Sequence, residues 1–280
     1  MINKSKKRNI FKKLIKEIIK GLRRIYWLNF TYLKYIYLSF KFKFSKKKII
    51  KHKISLLLPS RERSKKFERM LKSLIITCKD LKRLELLLLI DTDDKDINEY
   101  KQIIKEYENK LKINIFILDL QTHAKRNNYL AKNSSGDLIF PINDDIVFTS
   151  DEWDHWLDIE FSKNNFDNPF CVWIDAGNRY RYFHCDFPIV NRKWYEKLGY
   201  IGSEYFNFWY LDTWICELSR RSNIFLLTYN IIVKQFSAHS LKNEIDNTYL
   251  KNIESGDQGK DDIIWLNTQK QRIIDSKKLI

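Results

Sequence analysis

Ser135-Gly136-Asp137-Leu138-Ile139-Phe140-Pro141-Ile142-Asn143-Asp144-Asp145-Ile146-Val147-Phe148 is a small-residue turn and a short apolar run, then two adjacent carboxylates and a second apolar run. Carboxylates at the end of a buried strand repel each other and lose hydration, so a fold tolerates them mainly where a cation sits between them. The competing interpretation is an Asx-rich turn that closes a strand. The flanking sequence favours the first.

Upstream, Ile54–Leu58 is a continuous apolar run stopped by Pro59, and Leu84–Ile90 is a second run closed by Asp91-Thr92-Asp93-Asp94. Unbroken apolar runs of this length are expected of parallel strands buried on both faces. Ile113–Leu118 and Leu138–Ile142 continue the series, and the patterns of 67–76, 97–109 and 125–132 are helical. Alternating strands and helices predict an α/β fold, a mostly parallel sheet flanked by helices. Ligands of such sheets gather at the carboxyl ends of the strands. Three of those ends are polar: Ser60-Arg61 with Arg63, Asp91 with Asp93, and Asn143-Asp144-Asp145. A cation near carboxylates, with arginines from a neighbouring loop, suits a metal-bridged diphosphate. No glycine-rich phosphate loop is present.

The 280 residues carry a formal charge of +16, unevenly spread. Residues 1–53 hold 18 Lys or Arg against Glu17 alone, which leaves 33 basic and 34 acidic residues for 54–280. A surface that tracks phosphates should extend onto the folded body, so nucleic acid is not expected as a partner. In the leader, Phe11, Leu14, Ile15, Ile18, Ile19, Leu22 and Ile25 recur at helical steps opposite Lys12, Lys13, Lys16, Lys20, Arg23 and Arg24. Aromatic residues crowd 26–44, interrupted by Lys34, Lys41 and Lys43, which leaves too short an apolar stretch for a spanning helix. No small-residue cleavage site follows, so the segment is not read as a secretory signal. It is expected to lie on an anionic membrane surface, placing the protein on the inner face of a membrane in the cytoplasm. A helix packed on the body is the alternative. Cys78, Cys171, Cys185 and Cys216 are widely spaced, as expected of reduced thiols.

Taken together, Pro59-Ser60-Arg61-Glu62-Arg63, Ile90-Asp91-Thr92-Asp93-Asp94, Ser135-Gly136-Asp137 and Asn143-Asp144-Asp145-Ile146-Val147-Phe148 resemble the nucleotide-binding half of GT-A-fold glycosyltransferases of the family-2 type. Trp153-Asp154, Phe187 to Tyr195, Leu198-Gly199-Tyr200, Tyr210 to Trp214, and His239 followed by Asp246 to Tyr249 resemble a bacterial and phage subgroup in order. The resemblance covers about 54–266 and implies a nucleotide-binding half, 54–148, and an acceptor half with a C-terminal tail, 149–280. It implies a DxD-like metal motif whose first position is Asn143, with Asp145 and His239 on Mn²⁺ or Mg²⁺. Pro59, Ser60, Arg61, Arg63, Asp91, Asp93, Arg126 and Asp144 would hold the nucleotide sugar, Asp91 recognising the base and Asp144 the ribose or a phosphate. Asp212 resembles the catalytic base of inverting members, although Leu211 stands where many relatives carry Glu. His184, Asp186 and Trp214 are expected at a glycan or lipid-linked acceptor. Trp173, Tyr180, Tyr182, Trp194, Trp209 and Trp214 offer flat faces for sugars, of which no more than two or three are expected in the acceptor groove, the rest being ordinary core. The rivals are a nucleotidyltransferase, whose GxGTR-type loop is absent after Leu58, and a non-catalytic basic membrane- or nucleic-acid-binding protein.

Overall fold

A computed structural model describes residues 49–162, 166–176, 184–236, 245–254 and 257–280. The leader up to Lys48, Tyr180, Tyr182 and His239 lie outside the described residues. Among the described residues no helix is long and apolar enough to cross a membrane.

The first half follows the alternation expected from sequence. β1 (Ile54–Pro59) leads through α1 (Ser64–Thr77) to β2 (Leu84–Ile90), then through α2 (Ile97–Tyr107) to β3 (Lys112–Ile117) and through α3 (His123–Lys132) to β4 (Leu138–Pro141). β2 is buried along its whole length, and the leucines of β1 are fully buried, as a strand covered on both faces requires. The strands lie in the order β3-β2-β1-β4, all parallel. The chain thus winds outward from β1 and then returns to its other side, which opens a crevice between β1 and β4 at the strands' carboxyl ends. Register levels those ends: Pro59 pairs with Leu89, and Leu57 with Pro141. Just beyond these ends, Ser60 reaches Asp144 by a side-chain hydrogen bond.

Gly136 is needed at the entry to β4. A Cβ there would come 2.5 Å from Ser55 Oγ and 2.6 Å from the Ser55 backbone nitrogen, where the Gly136 N–H instead donates to Ser55 Oγ at 2.8 Å.

The second half is mixed in direction. β5 (Ile146–Phe148) and α4 (Trp153–Ser162) are followed by β6 (Cys171–Asp175), β7 (Pro188–Asn191), α5 (Arg192–Leu198), α6 (Leu211–Arg221) and β8 (Phe225–Gln235). Helices α7 (Asn247–Glu254), α8 (Asp257–Asn267) and α9 (Gln269–Lys278) close the chain. β7 runs antiparallel to both β4 and β6, β8 is parallel to β6, and β5 pairs antiparallel with β8 at the end of the eight-stranded sheet. Ile146 sits opposite Gln235, so the residues after the Asp144-Asp145 pair are anchored on β8.

The compact unit starts at Ile49, ahead of the boundary expected after residue 53. His52 is buried, its ring stacked on Phe166 at 4.1 Å and its N–H donating to Asp158 at 3.1 Å. Arg83 binds the His52 carbonyl at 3.0 Å and pairs with buried Asp154 and Asp158, so 49–53 belong to the body.

Candidate active site

Loop 60–63 is held from three sides. Ser60 Oγ donates to Asp144 Oδ2 at 2.5 Å and lies 2.7 Å from Tyr100 Oη, which also accepts the Arg63 N–H at 3.0 Å. Asp94 accepts the Glu62 N–H at 2.9 Å, and Asp96 accepts the Ser64 N–H at 3.0 Å. The acidic run after β2 therefore fixes the loop after β1.

The Arg63 guanidinium lies between two carboxylates. Nη1 reaches Asp144 Oδ1 at 3.3 Å, while Nε and Nη2 fork onto Asp246 at 2.8 and 2.9 Å. Lys66 adds an ion pair to Asp246 at 2.6 Å, and Thr248 Oγ1 donates to the Arg61 carbonyl at 3.1 Å. The C-terminal segment is thereby strapped across the loop. Burial pushes the Asp246 carboxyl up, but the hydrogen bonds from Arg63 and Lys66 outweigh it and hold the pKa at about 2, against an ordinary 3.8. A depressed acid stabilises the fold above its unfolded pKa and loses that contribution as pH falls through the folded value. Asp246→Asn should thus lower stability by on the order of 1–2 kcal/mol at neutral pH, the side chain being partly exposed. In denaturant titrations the gap to wild type should narrow between pH 3.8 and about 2; a gap independent of pH would show that charge is not its cause.

Asp144 is almost fully buried, and burial raises its carboxyl despite Arg63 and Ser60. It acts as the anchor of Ser60 and Arg63, which places it behind loop 60–63 as well as at the cavity wall. Burial and then the Asp144 charge push Asp145 up to about 6. Its Oδ2 accepts from Gln235 Nε2 at 3.3 Å, while Oδ1 is buried without a hydrogen-bond partner. A buried, unpartnered carboxylate oxygen costs free energy that a bound cation would recover.

Asp91 carries cations on both oxygens, Oδ2 to Arg61 at 2.5 Å and Oδ1 to Arg126 at 2.6 Å. Arg61 also binds exposed Asp93 at 2.7 Å. His123, at the start of α3, is pushed down to about 4 by burial and by Arg126, so its ring is neutral.

Across the cavity, Asp212 occupies the first turn of α6. Its Oδ1 accepts the Thr213 N–H at 2.6 Å, and its Oδ2 lies 2.9 Å from His184 Nε2, which is 3.2 Å from Asp186 Oδ1. Burial raises the Asp212 carboxyl, but His184 and Thr213 prevail and hold it below the ordinary value. It is ionised at neutral pH and one-third exposed.

A cavity of about 460 Å³ joins these groups, lined by Ser60, Arg61, Arg63 and Asp144 on one side and by Asp186, Trp209 and Asp212 on the other. An adjoining cavity of about 470 Å³ adds Asp91, Gln121 and Lys251. Pro59, Ser60, Arg61, Arg63, Arg126, Asp144, Asp186 and Asp212 line the first cavity and Asp91 the second. Asp93, Asp145 and His184 line neither and reach them through Arg61, Gln235 and Asp212. Trp214 stands apart, and His239 is not described. Trp214 is fully buried against Phe206 and Arg272, so its expected place at the acceptor is corrected. Trp173 and Trp194 are likewise core, whereas Trp209 lines the cavity. His123, Gln235 and Asp246 join the site beyond the residues expected from sequence. His123 and Gln235 carry no local pattern, while Asp246 opens the run Asp246-Asn247-Thr248-Tyr249 that carries part of the family resemblance.

No family model matches the chain, and no curated protein matches it in sequence. Solved structures do. The mannosyltransferase PcManGT from Pyrobaculum calidifontis, in complex with GDP-Man and Mn²⁺, superposes with a TM-score of 0.55 at 10% identity, over 71% of this chain and 63% of that one. S. aureus TarS 1–349 gives 0.52 at 15% identity, over 66% and 61%. The same protein in complex with UDP-GlcNAc gives 0.50 at 14%, over 66% and 59%. The chain therefore spans less than two-thirds of the length of each of these structures. At such identities the likeness is one of architecture, and together with the strand order it establishes that the body has the GT-A fold of glycosyltransferases.

Proposed function

We propose that the protein transfers a sugar from a nucleotide diphosphate to a glycan or lipid-linked acceptor, with inversion at the anomeric carbon. One observation carries this: Arg61, Arg63 and Asp144 at the switch-point crevice face Asp212 across a single cavity. The neighbours crystallised with GDP-Man and with UDP-GlcNAc support a nucleotide sugar as donor.

The adjoining cavities suit an extended donor, its base beside Asp91 and Gln121 and its diphosphate near Arg61, Arg63 and Arg126. Since Asp91 already carries two arginines, it serves the base end by fixing Arg61 and Arg126 at least as much as by direct contact. Asp145 fits a divalent cation through its unpartnered Oδ1, with His239 as the second ligand that the family resemblance implies. When bound, Mn²⁺ or Mg²⁺ offsets charge on the departing diphosphate. Asp212, ionised, takes the proton of the acceptor hydroxyl as its oxygen bonds to the anomeric carbon and the bond to the β-phosphate oxygen breaks.

The test is a panel of nucleotide sugars, UDP-GlcNAc and GDP-mannose included, incubated with the protein and Mn²⁺ or Mg²⁺. Release of nucleotide diphosphate from one donor is expected. Pyrophosphate release from a nucleoside triphosphate and a sugar phosphate would instead identify a nucleotidyltransferase.

The basic leader docks this domain on an anionic membrane surface, each Lys or Arg adding about 1 kcal/mol near the leaflet, screened by salt. Full-length protein should sediment with phosphatidylserine liposomes at low salt and be partly released at high salt, whereas protein beginning at Ile49 should remain in the supernatant. Equal sedimentation of both would remove the leader from that role.

A further inference from the structure

Asp212 is held on both oxygens, Oδ1 by Thr213 and Oδ2 by His184 at 2.9 Å. His184 is held in turn, its Nε2 lying 3.2 Å from Asp186 Oδ1. A base fixed in one orientation meets the acceptor hydroxyl without first paying the entropy of finding it. We propose that His184 is the positioning residue of the Asp212 base and that Asp186 keeps His184 in place. The inference rests on the transferase reading above.

The surrounding charges support a permanently cationic His184. Burial alone would lower its pKa, but hydrogen bonds and charge from Asp186 and Asp212 raise it to about 10. The titratable groups that sense the Asp212 charge are His123 on α3, which is neutral, and Tyr210 and Cys216, which burial keeps protonated. His184 is therefore the cation that keeps this part-buried carboxylate ionised. Without it, burial raises the Asp212 pKa, and activity that needs the ionised base fails at a higher pH.

The experiment compares His184→Ala, His184→Gln and Asp186→Asn with wild type, using UDP-GlcNAc and GDP-mannose as probe donors and reading nucleotide diphosphate release against pH. His184→Ala should lower kcat about 10–100-fold, the scale for losing a partner that orients a functional group. It should leave donor KM unchanged and move the acid limb of kcat upward. His184→Gln, whose amide can donate to Oδ2, should recover part of the rate, and Asp186→Asn should act in the same direction as His184→Ala but less. An unmoved acid limb, or a loss confined to acceptor KM, would overturn the proposal. So would a Mn²⁺ ion that stays bound in Asp145→Asn protein and is lost when His184→Gln is added, since the cluster would then be a cation site. Nitrogen-15 NMR of the histidines needs no substrate: His184 should stay protonated to about pH 10 and titrate lower in Asp186→Asn. If that titration is found while Asp212→Asn transfers sugar normally, the base assignment fails, not the His184 contact.

Discussion

Asp212→Asn should slow sugar transfer by about 10²–10⁴-fold, the usual contribution of general-base catalysis, and leave nucleotide binding unchanged. Asparagine retains an oxygen for the Thr213 N–H, so the first turn of α6 keeps its hydrogen bond and the protein should fold. On the proposed reading donor affinity is governed by Arg61, Arg63 and Asp145, whereas the hydrogen bonds of Asp212 run to His184 and Thr213. The loss should therefore appear in kcat, as expected for an interaction made in the transition state. Calorimetry with the nucleotide diphosphate, beside single-turnover rates, separates the two. Near-normal transfer by the variant would move the base elsewhere, with Asp175 and Asp186 next to be replaced.

What local pattern reveals, and what it hides, follows from the range of the interactions. β1, β2 and β4 are evident because a strand buried on both faces must be continuously apolar, and the polar residues just beyond them mark the ligand edge. The exact ends of helices are less evident: α1 begins at Ser64, ahead of the first periodic apolar residue, Phe67. Pairings formed across the chain leave no local trace. Arg63 and Asp246 are 183 residues apart, and β5 pairs with β8 although β4 immediately precedes it in sequence.

Trp214 lies on a helical apolar stripe that is itself visible in the sequence. Leu211, Trp214, Ile215 and Leu218 repeat at helical steps on the buried face of α6, a stripe that packs Trp214 fully into the core while Leu211 and Ile215 also reach the cavity wall. Aromatic density alone could not separate Trp209 at the cavity from Trp173 and Trp194 in the core.

The second large effect concerns Asp145. Two neighbouring carboxylates, one almost fully buried and the other with a buried, unpartnered oxygen, are unfavourable in a protein that binds nothing there, and such costs collect at functional sites. Asp145→Asn removes the like-charge repulsion, so the variant without ligand should melt no lower than wild type. It also removes the carboxylate that a hard divalent cation prefers. Losing a direct ligand should cost more than the roughly 10–100-fold that removal of a ligand's supporting partner costs in metal affinity. Mn²⁺ should strengthen nucleotide diphosphate binding to wild type and have no effect on the variant. Arg61 and Arg63 remain in both, so a weak binding that chelator does not affect should persist at equal strength. Retained stability with the Mn²⁺ effect gone would place the cation on Asp145. An undiminished Mn²⁺ effect would take it off this residue and turn attention to the cluster of His184, Asp186 and Asp212, whose ligand atoms lie within 4.8 Å of one another.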